Sequence, residues 1–98
     1  MVHNNILQKV MFLLTCAKAK TVSTDDYQLI LSYVTQHSNH LVLGKVFGYS
    51  ISDYAIATLY WIQTNESLED FDSVFSKLVE GRKNLVNELI ERELYLEI

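Results

Sequence analysis

The chain has 98 residues, of which 49% are hydrophobic and 20% are charged, so it carries enough apolar side chains for the core of one domain spanning residues 1–98. No run approaches the roughly 18 consecutive apolar residues of a membrane span, and the single cysteine, Cys16, excludes an internal disulfide framework and a cysteine-based zinc site. The formal net charge of −4 argues against a general nucleic-acid binder.

Apolar residues recur at helical spacing along most of the chain. Proline is absent and there are three glycines, which is too few turn residues for a β-sandwich or a barrel. The spacing of three and four residues predicts a first helix over residues 5–19. A second helix begins at Ser23 or Thr24, because either hydroxyl can accept a hydrogen bond from a free backbone amide. The apolar pattern of this helix ends by His37.

The middle of the chain allows more than one prediction. Residues 40–47 fit a short third helix, and residues 41–49 also fit a strand, so both alternatives stay open. A fourth helix over residues 53–64, capped by Ser50 or Ser52, is apolar on almost all sides. Such a helix is either buried on most sides or packed between its own domain and a partner.

The last segment, residues 67–96, begins with a sequence close to a capping box, in which Ser67 is followed by acidic residues. Its apolar stripe resumes beyond Gly81, so this glycine either ends a helix or is a weak point within one long helix. Together these patterns predict an all-α fold, built as a compact array of five or six short helices.

No set of residues has the pattern of a catalytic or metal site. His37 and His40 have a spacing that two metal ligands on one helix could use, but the residues between them break the helix and no third ligand is near. Cys16 lies in an apolar helix, where a free thiol packs as a small hydrophobe. Ser50 and Ser52 are better explained as helix caps than as nucleophiles. The sequence therefore predicts that the protein is not an enzyme and needs no metal or cofactor.

Charge is distributed unevenly along the chain. Residues 1–49 hold four basic and two acidic residues, whereas residues 50–98 hold four basic and ten acidic residues. Between Val46 and Ser76 every charged residue is acidic, and most of these acids follow Tyr54, Tyr60 and Trp61 in the chain. The helix dipole accounts for acids at the start of a helix, but aromatic anchors beside clustered charge are also typical of protein interfaces. The predicted partner-binding residues are Asp53, Tyr54, Tyr60, Trp61, Glu66, Glu69, Asp70 and Asp72.

These features predict a small, acidic, cytoplasmic protein that acts by stoichiometric binding to another protein with a basic surface. An immunity protein, an antitoxin, a phage-type inhibitor and an adaptor all fit this description. No nucleic-acid or membrane partner is expected, and the sequence does not identify the protein partner.

Two other functions remain open. An apolar stripe in the last segment could form the seam of a homodimeric structural or adaptor protein, and it comprises Phe71, Phe75, Leu78, Leu85 and Leu89. Residues 41–47 and 52–64 have the outline of a helix-turn-helix transcription regulator. The second of these two helices, however, offers no basic residue to phosphate.

Overall fold

Helices dominate the computed structural model, which describes the backbone of residues 2–35, 45–46 and 49–98 and confirms the all-α prediction. The elements in chain order are α1 (Val2–Ala19), α2 (Thr24–Val34), β1 (Lys45–Val46), β2 (Tyr49–Ser50), α3 (Ile51–Ile62), α4 (Asn65–Phe75), α5 (Glu80–Arg92) and a terminal 3-10 helix (Leu94–Glu97).

Helix α3 lies at the centre of the core. It contacts α1, α2, α4 and α5, and every one of its residues except Tyr60 is buried. Tyr54, Ile56 and Leu59 are among its side chains with almost no exposed surface. A helix that is apolar on all sides gains most from burial when other helices surround it, which explains its central position.

Helices α2 and α3 begin where short polar side chains accept hydrogen bonds from backbone amides of the first turn. Ser23 caps α2 and accepts from the backbone amide of Asp26 at 3.2 Å. Ser50 caps α3 in a reciprocal capping box with Asp53. The starts of α2 and α3 therefore follow predicted cap residues. Of the two cap residues predicted for α3, Ser50 is the cap and Ser52 is not.

Helix α4 begins earlier than the sequence analysis predicts. Thr64 is its cap, and Ser67 lies at the third helical position, where the two side chains exchange hydrogen bonds with each other's backbone amides at 3.1 and 3.0 Å. Ser67 is fully buried in this arrangement. The prediction that Ser67 opens the helix is wrong because Thr64, three residues earlier, completes the capping box.

Residues 67–96 do not form one long helix. Helix α4 ends at Phe75, and Val79, whose φ of −71° and ψ of 160° are extended, precedes α5. Gly81 lies inside the first turn of α5, so the break comes before the glycine. Phe71 and Leu89 are buried in the protein's own core, which corrects the prediction of a continuous dimer seam along this stripe.

The short third helix predicted over residues 40–47 can be tested only in part. At Lys45–Val46 the backbone forms a strand that pairs antiparallel with Tyr49–Ser50, so the strand alternative is correct at these positions. The remainder of that prediction, together with His37 and His40, lies outside the described residues.

Cys16 is buried in the core, as predicted for a small hydrophobe. Burial, with a smaller contribution from the charge of Asp26, raises the pKa of its thiol from 9.0 to about 11. Burial likewise raises the pKa of the Tyr54 phenol from 10.0 to about 12. Both groups are therefore protonated and neutral at physiological pH.

The free energy of unfolding is expected to fall as the pH rises from 9 through 12. Above their ordinary pKa values these groups lose protons in the unfolded chain but keep them in the folded one, so the unfolded state binds fewer protons and gains stability. Urea unfolding at a series of pH values measures this decline. In the Cys16→Ala variant, the decline in unfolding free energy between pH 9 and 10 is expected to disappear. An unchanged decline there would contradict the raised pKa of the Cys16 thiol.

Candidate interaction surface

The outer side of α4 carries a cluster of carboxylates. Glu66, Glu69 and Asp72 are exposed, and their spacing of three residues makes each a neighbour of the next on the helix surface. Asp70 on the same helix is half-buried, whereas Phe71 turns into the core with 8% of its surface exposed. We call Glu66, Glu69, Asp70 and Asp72 the acidic face.

Asp70 also holds α4 against α2. Its carboxylate accepts a hydrogen bond from the hydroxyl of Tyr27, a buried residue in the first half of α2. Burial and this hydrogen bond raise the pKa of the Tyr27 phenol, so the hydroxyl remains a donor at neutral pH. Asp70 therefore has a structural role, and the freely exposed charge of the acidic face belongs to the other three acids.

Tyr60 is an exposed aromatic residue that packs against α4, the helix that bears the acidic face. It keeps 37% of its surface exposed although the rest of α3 is buried. Its ring centroid lies 5.3 Å from that of Phe71 in α4, and Phe71 stacks in turn on Phe75 at 5.1 Å. This row of rings holds the Tyr60 side chain in place at the surface.

Two further acids lie close to Tyr60, around an opening in the surface. Glu91 and Glu93, from the end of α5, line this opening together with Tyr60. Lys20 also lines it, but its ammonium group donates to the backbone carbonyl of Trp61 and lies 5.1 Å from the centroid of the Tyr95 ring.

Glu91 and Glu93 are not among the predicted partner-binding residues, because they lie some thirty residues beyond Tyr60 in the chain. The available signal was the density of glutamates in the last ten residues. Only the packing of α5 beside α3 brings two of these glutamates to the same opening as Tyr60.

Three of the predicted partner-binding residues lie in the core, which corrects their placement on the surface. Asp53 is 1% exposed and pairs with Arg82, whose Nη2 atom lies 2.9 Å from Oδ1. Tyr54 has no exposed surface and packs edge-to-face with Tyr49. Trp61 is 2% exposed. The central position of α3 buries all three, so the surface is reduced to Tyr60 and the acidic face.

The buried polar groups at the start of α3 are held by structural bonds. The Ser52 hydroxyl donates to the carbonyl of Val34 at 2.7 Å and accepts from Arg82 at 3.1 Å. The Ser50 hydroxyl is the α3 cap.

Within the ranges that the structure describes, no group of three or more His, Cys, Asp or Glu residues could hold a metal ion. The described helices also include none with the length and apolarity needed to cross a bilayer.

Comparison with protein-family models, with curated proteins and with solved structures finds no match for this chain.

Proposed function

We propose that this protein acts by stoichiometric binding to another protein, with Tyr60 and the acidic face contacting a basic surface on the partner in the cytoplasm. The observation that carries the proposal is the exposed Tyr60, which packs on Phe71 of the helix that bears the acidic face and lines a surface opening together with Glu91 and Glu93. An inhibitor, an immunity protein, an antitoxin and an adaptor are the functional classes that use such a surface without catalysing a reaction.

Tyr60 suits the role of an anchor. Tyrosine is enriched among the residues that dominate binding energy, because its ring buries a large area and loses little conformational freedom. The packing of Tyr60 on Phe71 restricts the ring before binding, which reduces the entropy lost in the complex.

The exposed carboxylates of the acidic face are suited to attracting and orienting a basic partner during association. Glu66, Glu69 and Asp72 are exposed on one helix, and none of them forms an ion pair in the described part of the chain. Clustered charge of one sign accelerates association with a partner of opposite charge and orients the encounter.

The charge-reversed variant E69K/D72K is expected to associate with the partner at least about tenfold more slowly at low salt, with a weaker dependence on salt. Asp70 is left unchanged because its hydrogen bond to Tyr27 is part of the fold. The partner is first recovered by cross-linking and affinity capture with the wild-type protein and then purified. Association rates are measured by surface plasmon resonance at two ionic strengths.

The matched control is E80K/E97K, which changes the net charge equally at two exposed acids that lie off α4. This control is expected to associate at nearly the wild-type rate. Equal rates for the wild type and E69K/D72K, or an equal loss in both double variants, would contradict the proposed surface.

A further inference from the structure

A groove whose described lining does not include Tyr60 lies where α2, α3, α4 and α5 meet. Its lining comes from the end of α2, the start and middle of α3, the end of α4, the turn between α4 and α5, and the first turn of α5. The groove has a volume of about 390 Å³. Because ligand pockets span about 300–1,000 Å³, this volume is enough for a few side chains of a peptide.

The walls of the groove are mainly apolar. Val34, Ile56, Val74 and Leu78 contribute to them from four different parts of the chain. Val79, at the rim, is 70% exposed although it is a large aliphatic residue. Val34 and Ile56 are buried, so the apolar surface that a partner side chain can cover is that of Val79 and the exposed parts of Val74 and Leu78.

The charged residues in the described lining of the groove are both basic. Lys77 and Arg82 line it, and its described lining includes no acidic residue, in a half of the chain that is otherwise rich in acids. Arg82 uses Nε and Nη2 to bind Asp53 and Ser52, and its Nη1 forms no hydrogen bond with the described residues. The side chain is 27% exposed, so a carboxylate in the groove can reach the guanidinium group.

From this charge complementarity we infer that the groove is a second docking site, which binds a peptide segment of another protein carrying leucine-like side chains next to glutamate or aspartate. The apolar side chain packs on Val79 and Leu78, and the neighbouring carboxylate pairs with Lys77 and with Nη1 of Arg82. The protein would then have two docking surfaces of opposite charge, one for a basic partner and one for an acidic peptide.

The test is a titration of the ¹⁵N-labelled full chain with two blocked eight-residue peptides, followed by NMR. One peptide contains two leucines among glutamates, and the other has glutamine in place of every glutamate. The glutamate peptide is expected to shift the amide signals of Leu78 and Val79 and to bind at least about fivefold more tightly than the glutamine peptide.

Two variants locate the site without disturbing the Arg82 ion pair. Val79→Ser removes the apolar rim at the cap position of α5, where serine is a favoured residue, and is expected to weaken binding about tenfold. Lys77→Glu is expected to weaken binding of the glutamate peptide about fivefold. Lys83→Glu makes the same charge change outside the groove and is expected to leave the affinity unchanged.

Equal affinity for the two peptides, shifts confined to other parts of the protein, or an equal effect of Lys77→Glu and Lys83→Glu would each overturn the inference. If neither peptide binds and Val79→Ser shifts the signals of residues 36–44, the groove belongs to the chain's own segment and the inference is also overturned. None of these outcomes bears on the acidic face, because the two surfaces share no residues and are tested with different partners.

Discussion

Replacing Asp53 with alanine is expected to lower the free energy of unfolding by about 3 kcal/mol, the lower end of the range of about 3–5 kcal/mol for breaking a buried ion pair. One carboxylate oxygen pairs with Arg82 and the other accepts from the backbone amide of Ser50 at 3.0 Å. The alanine variant leaves the guanidinium group without its counter-charge and the buried amide without an acceptor. The partial exposure of Arg82 lets water relieve some of the loss, which is why the lower value applies.

Urea unfolding of Asp53→Ala measures this loss directly. The control is Asp25→Ala, which removes an exposed acid from the first turn of α2 and is expected to cost no more than about 1 kcal/mol. The double variant D53A/R82A should be less destabilised than the sum of its two single variants, because the bond can be lost only once. Equal losses for Asp53→Ala and Asp25→Ala would show that the buried pair does not stabilise the fold.

Trp61→Ala is expected to cost about 3–5 kcal/mol, whereas Tyr60→Ala at the adjacent position is expected to cost about 1 kcal/mol. Trp61 is 2% exposed, its ring centroid lies 5.0 Å from that of Tyr95, and its indole N–H donates to the carbonyl of Ile90 at 3.4 Å. Its removal leaves a cavity between α3, α5 and the terminal 3-10 helix. Tyr60 is 37% exposed, and alanine there leaves space that water can fill.

Thermal unfolding of the two variants separates them clearly. In a protein of this size, a difference of about 3 kcal/mol corresponds to a difference of roughly 12 °C or more in Tm. Tyr60→Ala should also weaken binding to the partner while keeping the wild-type circular dichroism spectrum. Similar Tm values for the two variants would contradict the placement of Trp61 in the core and of Tyr60 at the surface.

The helix starts illustrate how much local sequence can determine. Ser23 and Ser50 were predictable as caps because each precedes an apolar periodic stretch, and a cap acts within three residues along the chain. The start of α4 was harder, because Thr64 and Ser67 are both suitable cap residues and lie three apart. Burial of Ser67 against the core favours the earlier start, and burial depends on elements far away in the chain.

The break between α4 and α5 could not be predicted for a similar reason. Residues 76–79 contain neither glycine nor proline, so no local signal ends the helix there. The break lets α4 and α5 both pack on α3, so that Phe71 in α4 and Leu89 in α5 are both buried in the core. Tertiary packing therefore overrides the continuous apolar stripe of the sequence.

By itself, the sequence determined the helical class, the absence of a disulfide framework and the concentration of acids in the second half, because composition and local periodicity decide these properties. The tertiary structure alone decided which aromatic residues reach the surface. Helix α3 is apolar on all sides, so its sequence prefers no single face, and the four helices packed around it bury Tyr54 and Trp61 while Tyr60 stays exposed. The same packing brings Glu91 and Glu93 to the opening beside Tyr60, a proximity between distant residues that local periodicity does not encode.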